Sequence, residues 1–506
     1  MATRRERARQ RYAPRRRYEA WLRRVQARID GEWADRVVPW AAAGVLFVVL
    51  GALALAHAGE LTGGQVGAYA QAAWLVAHGH EPFVTVRGVH LLAEHAPFGF
   101  YPVAVVAGFL PAVPTLLLVQ SAALAVAVVP LWQLCRRVMH LRAGASSALV
   151  AAWALHPAVH NMNLAGFHPE TLAVPAMVAA AAAALARRWW VFAGAAAVAV
   201  LLHAELGLVV AAAGAVWAVR GRRAVGIAAV VAGLAWVAFA TLVVGPSVSG
   251  GEVVATRYLG SYGDGAGEVV RTMLANPGTV ATDLFTQRNL DVVVGLLAPL
   301  LFLPLLAPRV LLAVVPLQAL YLVSSQESAH GIGDHHVAAA TAVVFVAAAA
   351  GLGRAGRKGV VIVTVERSLL TVLLAASGFA FLQSAASSPS HEPWEWGRDT
   401  PVERARQHAA SMVPDDAPVS ASLRVLPPLA ERRQVFTFPA PYVEDAAGDP
   451  ESEAERRAAV RWVVVDTTDR PTWSDTAEEV YGDLAGLGFV QVDQEAGVEV
   501  WTREGD

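Results

Sequence analysis

Cysteine occurs once, at Cys135, so no disulfide can staple the chain, and cysteine usage says nothing of the redox compartment. Charge is scarce as well. Asp, Glu, Lys and Arg make up 16 % of the 506 residues against 55 % hydrophobic ones, a balance too apolar, in a chain too long, for one soluble core. No Cys/His spacing fits a zinc motif, and no internal repeat breaks up the alanine-rich runs. The first apolar run, from about Val37 to Ala58, is longer than a signal-peptide core and lacks a cleavage site, so it is expected to remain as an anchor.

What charge there is sits at the ends. Residues 1–36 form an arginine-rich leader, and the segment after His391 is rich in Asp and Glu. A span follows the leader at once, so the arginines set topology or touch anionic lipid rather than nucleic acid, and the amino end is expected in the cytoplasm. Further arginine clusters at 136–137, 187–188, 220–223, 309 and 354–357 mark cytoplasmic helix ends. Spans of roughly 20 apolar residues threaded between these marks give about 11 crossings over residues 37–384. The sequence therefore predicts an all-α polytopic membrane domain with a long first outer loop over 58–102. Residues 385–400 read as a linker. Residues 401–506 read as a small extracytoplasmic α/β domain, with strand-like "PVSAS", "RQVFTF", "RWVVVD" and "VEVWTR" and a helical "TAEEVYGDLAGLG". In the first outer loop, "VGAYAQAAWLVAHG" has the spacing of a helix lying on the membrane face.

The threading sends four polar hairpin tips to one side: Glu94 with His95, His168 with Glu170 in "GFHPE", His203 with Glu205 in "HAELG", and Asp334 with His335 and His336. Imidazoles and carboxylates are costly near hydrocarbon, so four such tips on one face predict an outward-facing cavity. Pro169 and Glu170 equally suit a helix start. Few charges fall near the midplane, which argues against a transporter or flippase. A carboxylate beside a histidine suits general-base work on a hydroxyl with an imidazolium or guanidinium steadying a phosphate, and Arg87 is the candidate for that phosphate. The same side chains suit a divalent metal such as magnesium or manganese.

The order of "QVGAYAQAAWLVAHG", "FVTVRGVHLLAEHAP", "GFHPETLAVP", "HAELG", "LLAPLLFLPLLAPRVLLAVVPLQAL" and "VPDDAPVSASLRVLPPLAERRQVFTFP" resembles the bacterial family of predicted membrane proteins catalogued as domain of unknown function twenty seventy-nine. That family in turn is similar to C-type glycosyltransferases, multi-span enzymes of the cell (inner) membrane that use polyprenyl-phosphate sugars at the outer face. The resemblance implies a GT-C-like fold and a catalytic acid in the first outer loop. The family pattern has an Asp where this chain has Gln65 and another where it has Ala70, and its Lys falls at His203. Its Glu is matched by Glu205 and its "HPE" by His168, Pro169 and Glu170. Glu94 or Glu60 then stands in for the missing acid, helped by His95, His168, Glu170 and Glu205. Arg87, Gln65, Tyr69, Trp74, His203, His335 and His336 are the candidates for substrate contact. The reaction implied is sugar transfer to an envelope acceptor. The loss of acid at Gln65 keeps open a non-catalytic scaffold that binds a lipid-linked precursor.

With Cys135 replaced by Ser, single cysteines introduced into "GFHPE" and "HAELG" are expected to react with a membrane-impermeant maleimide from the same compartment. Labelling from opposite compartments would refute the threading.

Overall fold

The computed structural model describes residues 30–263, 265–358, 363–443 and 450–503; most of the arginine leader lies outside them. The chain is mostly helical. Among the described residues, five helical segments are long and apolar enough to cross a membrane: Glu32–Glu60, Ala112–Val138, Arg223–Val248, His335–Ala355 and Arg367–His391. Phe98–Ala107, Ala143–Ala154, Val174–Leu185, Trp189–Leu202 and Leu206–Val219 are shorter apolar helices.

The expected hairpins are present. After α1 (Glu32–His57), α2 (Ala68–Ala77), α3 (Tyr101–Ala107) and α4 (Ala112–Val138) come α5 (Ala143–Ala154) and α6 (Pro157–Leu164). "GFHPE" then leads into α7 (Val174–Leu185). The second hairpin is α8 (Trp189–Leu202) and α9 (Leu206–Val219), two short helices joined by His203, Ala204 and Glu205. The chain leaves helical geometry at His203 (φ −159°, ψ 114°) and re-enters it at Glu205. Packed on α9 is α10 (Arg223–Phe239), and glycines set the distance between them. A Cβ on Gly207 would stand 2.6 Å from the Gly233 carbonyl, and one on Gly214 2.7 Å from that of Gly226, so only glycine lets the two backbones meet there.

α11 (Gln287–Leu297) and α12 (Val315–Leu322) are separated by short turns in which Leu301 and Phe302 take left-handed φ of 52° and 54°. Pro299, Pro304 and Pro308 each remove a backbone donor here, so no continuous helix forms. α13 (Ala338–Ala355) is buried from Ala338 to Leu352, and its small side chains let neighbours close in from all sides. α14 (Arg367–Ser384) is the last span-like helix.

One expectation needs correction. Ala68, Tyr69, Ala70, Gln71, Ala72, Ala73 and Leu75 of α2 are buried, so this helix packs inside the protein rather than lying on a membrane face. Alanine has no charge to distinguish a lipid neighbour from a protein one. The start of the expected linker is also pinned: the Asn161 side chain donates to the Ser384 carbonyl (3.1 Å) and accepts from the Ala386 amide (2.7 Å).

Beyond it, α15 (Pro401–Met412) precedes a five-stranded sheet of β1 (Val419–Ala421), β2 (Val435–Thr437), β3 (Trp462–Asp466), β4 (Phe489–Glu495) and β5 (Val498–Arg503), in the order β2-β1-β3-β5-β4. β1 pairs parallel with β2 and β3, and the rest is antiparallel. The sheet unit sits on the first loop. Thr85 Oγ1 donates to the Val435 carbonyl (2.6 Å) and accepts from the Val435 amide (3.0 Å) and Gln71 Nε2 (2.7 Å).

"GFHPE" is held by a buried glutamine of α4. Gln120 Nε2 donates to the carbonyls of Met162 (2.9 Å) and Gly166 (2.5 Å), and its Oε1 accepts from the His168 amide (2.9 Å). Gln120→Leu keeps the volume and strands three buried polar groups, at on the order of 1–3 kcal/mol each. A marked fall in melting temperature of the purified protein is expected, and an unchanged melt would refute this role for Gln120.

Candidate functional site

All four polar tips reach one cavity of about 380 Å³ at the end of the bundle opposite the arginine clusters. The first loop supplies Arg87, Glu94 and His95, α2 supplies Tyr69, and "GFHPE" supplies His168 and Glu170; His203, Tyr258, Asp334, His335 and His336 complete the wall. Glu205 lines a smaller pocket next to it, shared with His95, His203, Tyr258 and Tyr321.

Local sequence explains how each group arrives. His168 is the extended residue before the helix turn Pro169–Leu172, with Pro at its first position, so "HPE" is both a helix start and a cavity wall. The left-handed Gly166 (φ 100°) lets the loop pass against the Gln65 carbonyl, which accepts from the Phe167 amide (3.0 Å). The Asp334 carboxylate accepts from the His335 amide and fixes that tip.

The side chains form two connected groups. In the first, Arg87 Nη1 lies 2.8 Å from Glu94 Oε2, and the Tyr258 hydroxyl donates to Glu94 Oε1 (2.7 Å). Arg87 also covers the Tyr69 ring at 5.0 Å. Burial works against the Glu94 charge, but Arg87, His95 and the Tyr258 hydroxyl together outweigh it and hold the carboxyl below its ordinary range. In the second, His95 Nδ1 meets Glu205 Oε1 (2.9 Å), and the His95 ring stacks on His203 at 4.4 Å. His203 Nε2 reaches Glu205 Oε2 (3.2 Å) and the Tyr321 hydroxyl (2.9 Å), which lies 3.4 Å from both Glu170 oxygens. Burial would lower the His95 pKa, yet the Glu205 carboxylate pushes it up to about 9.

Two triplets bring ligand atoms within 4.8 Å of one another: His95, His203 and Glu205, and His168, Asp334 and His335. In the first, Glu205 is already joined to both imidazoles. In the second, Asp334 is likewise joined to His335 Nδ1, but the His168 and His335 rings stack at 3.6 Å and His168 Nδ1 is buried with no hydrogen-bond partner among the described residues. That orphaned nitrogen makes the second triplet the better fit to a divalent cation. Two imidazoles and one carboxylate suit manganese better than magnesium, which prefers oxygen ligands.

Two sequence candidates lie elsewhere. Glu60 pairs with Arg424 of the sheet unit (2.9 Å). Trp74 stacks on His78 (4.4 Å) and His80 (5.5 Å), away from the cavity. Gln65 edges the cavity, but its side-chain oxygen caps the start of its own helix by accepting from the Thr62 amide (3.0 Å). Sequence reasoning missed Tyr258 and Tyr321. A phenol closing an apolar helix just before the polar "SSQES" was the available signal for Tyr321; Tyr258, in a polar loop, offered none.

Because the folded His95 holds its proton more tightly than the unfolded chain, its contribution to stability is complete below about 6.5 and lost as pH rises towards about 9. The melting temperature is expected to fall across that window in the native protein and to lose this dependence in Glu205→Gln. A flat native profile would contradict the His95–Glu205 assignment.

Among solved structures, the chain is similar to ArnT from Cupriavidus metallidurans bound to undecaprenyl phosphate, with TM-score 0.54 and 14 % identity over 94 % of this chain and 98 % of that one. The apo state of the same enzyme gives TM-score 0.52 and 13 % identity over 91 % and 98 %. The Archaeoglobus fulgidus oligosaccharyltransferase in the apo form gives TM-score 0.42 and 12 % identity over 90 % and 74 %. No curated protein sequence matches. The likeness to ArnT shows a shared fold. The model of the predicted membrane protein family DUF2079 matches residues 61–483, and the chain belongs to that family.

Proposed function

We propose that the chain transfers a sugar from a polyprenyl-phosphate donor to an envelope acceptor at the outer face of the bacterial inner membrane. The observation that carries this reading is the meeting of four polar tips in one cavity, within a fold similar to that of an enzyme solved with undecaprenyl phosphate. On this reading the amino end lies in the cytoplasm and the sheet unit outside, with about 11 crossings between them.

Arg87 and the His95 imidazolium are the cationic groups facing the cavity, suited to the donor phosphate. Glu94 acts as the base. It takes the proton of the acceptor hydroxyl while the oxygen bonds to the anomeric carbon and the bond from that carbon to the phosphate oxygen breaks, releasing polyprenyl phosphate. When Arg87 turns to a phosphate, Glu94 loses its strongest counter-charge and becomes more basic, so donor binding prepares the base. Tyr258 keeps the carboxylate oriented. His168, Asp334 and His335 would hold a divalent cation, manganese or magnesium, which when bound supplies further positive charge near the phosphate.

A second reading, a scaffold that binds a lipid-linked precursor without turning it over, is favoured by Gln65. It puts no acid where the family pattern has one, and its amide serves as a helix cap.

The test is a turnover assay of purified protein against several polyprenyl-phosphate sugars. Transfer or donor hydrolysis is expected, with Glu94→Gln lowering kcat on the order of 10²–10⁴-fold and Arg87→Gln acting mainly on KM. Neither transfer nor hydrolysis with folded protein would overturn the enzymatic reading, and envelope function surviving Glu94→Gln with Glu205→Gln would favour the scaffold.

A further inference from the structure

A second cavity, of about 800 Å³, lies at the other end of the bundle. It exists because the α8–α9 hairpin splays. α9 is drawn onto α10 by the glycine contacts, α8 packs on α7, and below their tip α8 and α9 stand apart until Trp189 and Phe192 meet Trp217 at the arginine end. The gap is walled by short side chains, among them Ala180, Ala184, Ala199 and Ala213, with Val343 of α13 at the back. Its walls run from Leu206, beside the "HAE" tip, to the arginine end. Each hairpin helix is 14 residues long, so the groove is about 20 Å deep.

The mouth differs in kind from the walls. Arg187, Arg220, Arg222 and Arg309 line it, and among the described residues no Asp or Glu does. The Arg222 guanidinium lies over the Trp189 ring at 5.5 Å, and Trp189 and Phe192 both pack edge-on against Trp217. An aromatic and arginine rim is the pattern of a headgroup level, with the apolar groove at acyl-chain depth. Arg188, Arg223 and Arg354 sit at the same end of the bundle but do not line the groove, so general marking of a cytoplasmic face does not account for the gathering of four at its mouth.

We propose that this groove binds one anionic phospholipid of the cytoplasmic leaflet, its phosphate among Arg187, Arg220, Arg222 and Arg309 and its acyl chains between α7, α8, α9 and α13. Charge complementarity names the occupant. Four guanidiniums around one opening need a negative headgroup, and the alanine walls leave the space that two hydrocarbon chains fill. The site is independent of any sugar transfer at the opposite end.

The full chain is purified, delipidated and titrated with phosphatidylglycerol or phosphatidylcholine in mixed micelles, and bound lipid is counted by native mass spectrometry. One tightly held phosphatidylglycerol is expected, with phosphatidylcholine at least about tenfold weaker. Arg187→Gln, Arg220→Gln, Arg222→Gln and Arg309→Gln together should abolish that preference, whereas Arg188→Gln with Arg223→Gln should keep it. Ala213→Trp fills the groove without touching charge and should expel the lipid from protein that still melts cooperatively. Equal retention of the two lipids overturns the proposal, as does equal loss in the two sets of arginine variants or retention in Ala213→Trp. Protection by glycerol phosphate as strong as that by phosphatidylglycerol also overturns it, by assigning the arginines to a free phosphate compound.

Discussion

An ionised side chain taken out of water keeps its charge only beside a partner, and the polar end of this bundle is organised by that requirement. The partners come from different hairpins. Glu205 of the second hairpin tip meets His95 of the first loop, Glu94 of that loop meets Tyr258 of the segment after α10, and His203 meets Tyr321 at the end of α12. Arg87 with Glu94 and Asp334 with His335 pair within one segment, but His95 with Glu205 spans two, so the first loop and the second hairpin tip cannot separate without leaving an imidazole and a carboxylate without that partner. The cavity is therefore a consequence of the pairing.

Much of this arrangement was legible in the sequence, because membrane helices are written in two strong signals, apolar length and flanking arginine. Those signals place the hairpin of Trp189–Leu202 and Leu206–Val219, the "GFHPE" turn and the last helix before Ser384. The sheet strands Val419–Ala421, Val435–Thr437, Trp462–Asp466 and Val498–Arg503 were legible from their β-branched runs, while "FVQVDQE" of Phe489–Glu495 was hidden by its polar residues at an edge. The site was partly legible. Histidines and acids in apolar surroundings stand out, but nothing local says that Glu60 turns to Arg424 or that Trp74 stacks on two histidines outside the cavity. Those choices are made by segments hundreds of residues away. Gln120 is the same problem reversed: a lone amide in an apolar helix is silent until the loop it holds is seen.

The two ends of the bundle differ in how they treat charge. At one end cations and anions neutralise each other inside a closed network, while at the other no acid among the described residues lines the groove with the arginines. The short α8–α9 hairpin connects the two. Its tip carries His203 and Glu205 into the network, and the glycines that hold α9 against α10 open the space below.

Thr85 gives the sheet unit a mechanical role. Its hydroxyl is clamped on both sides by Val435, and only Val86 separates it from Arg87, which puts the guanidinium about 7 Å of chain from the clamp. Any tilt of the sheet is thus transmitted through a very short lever to the residue that balances Glu94.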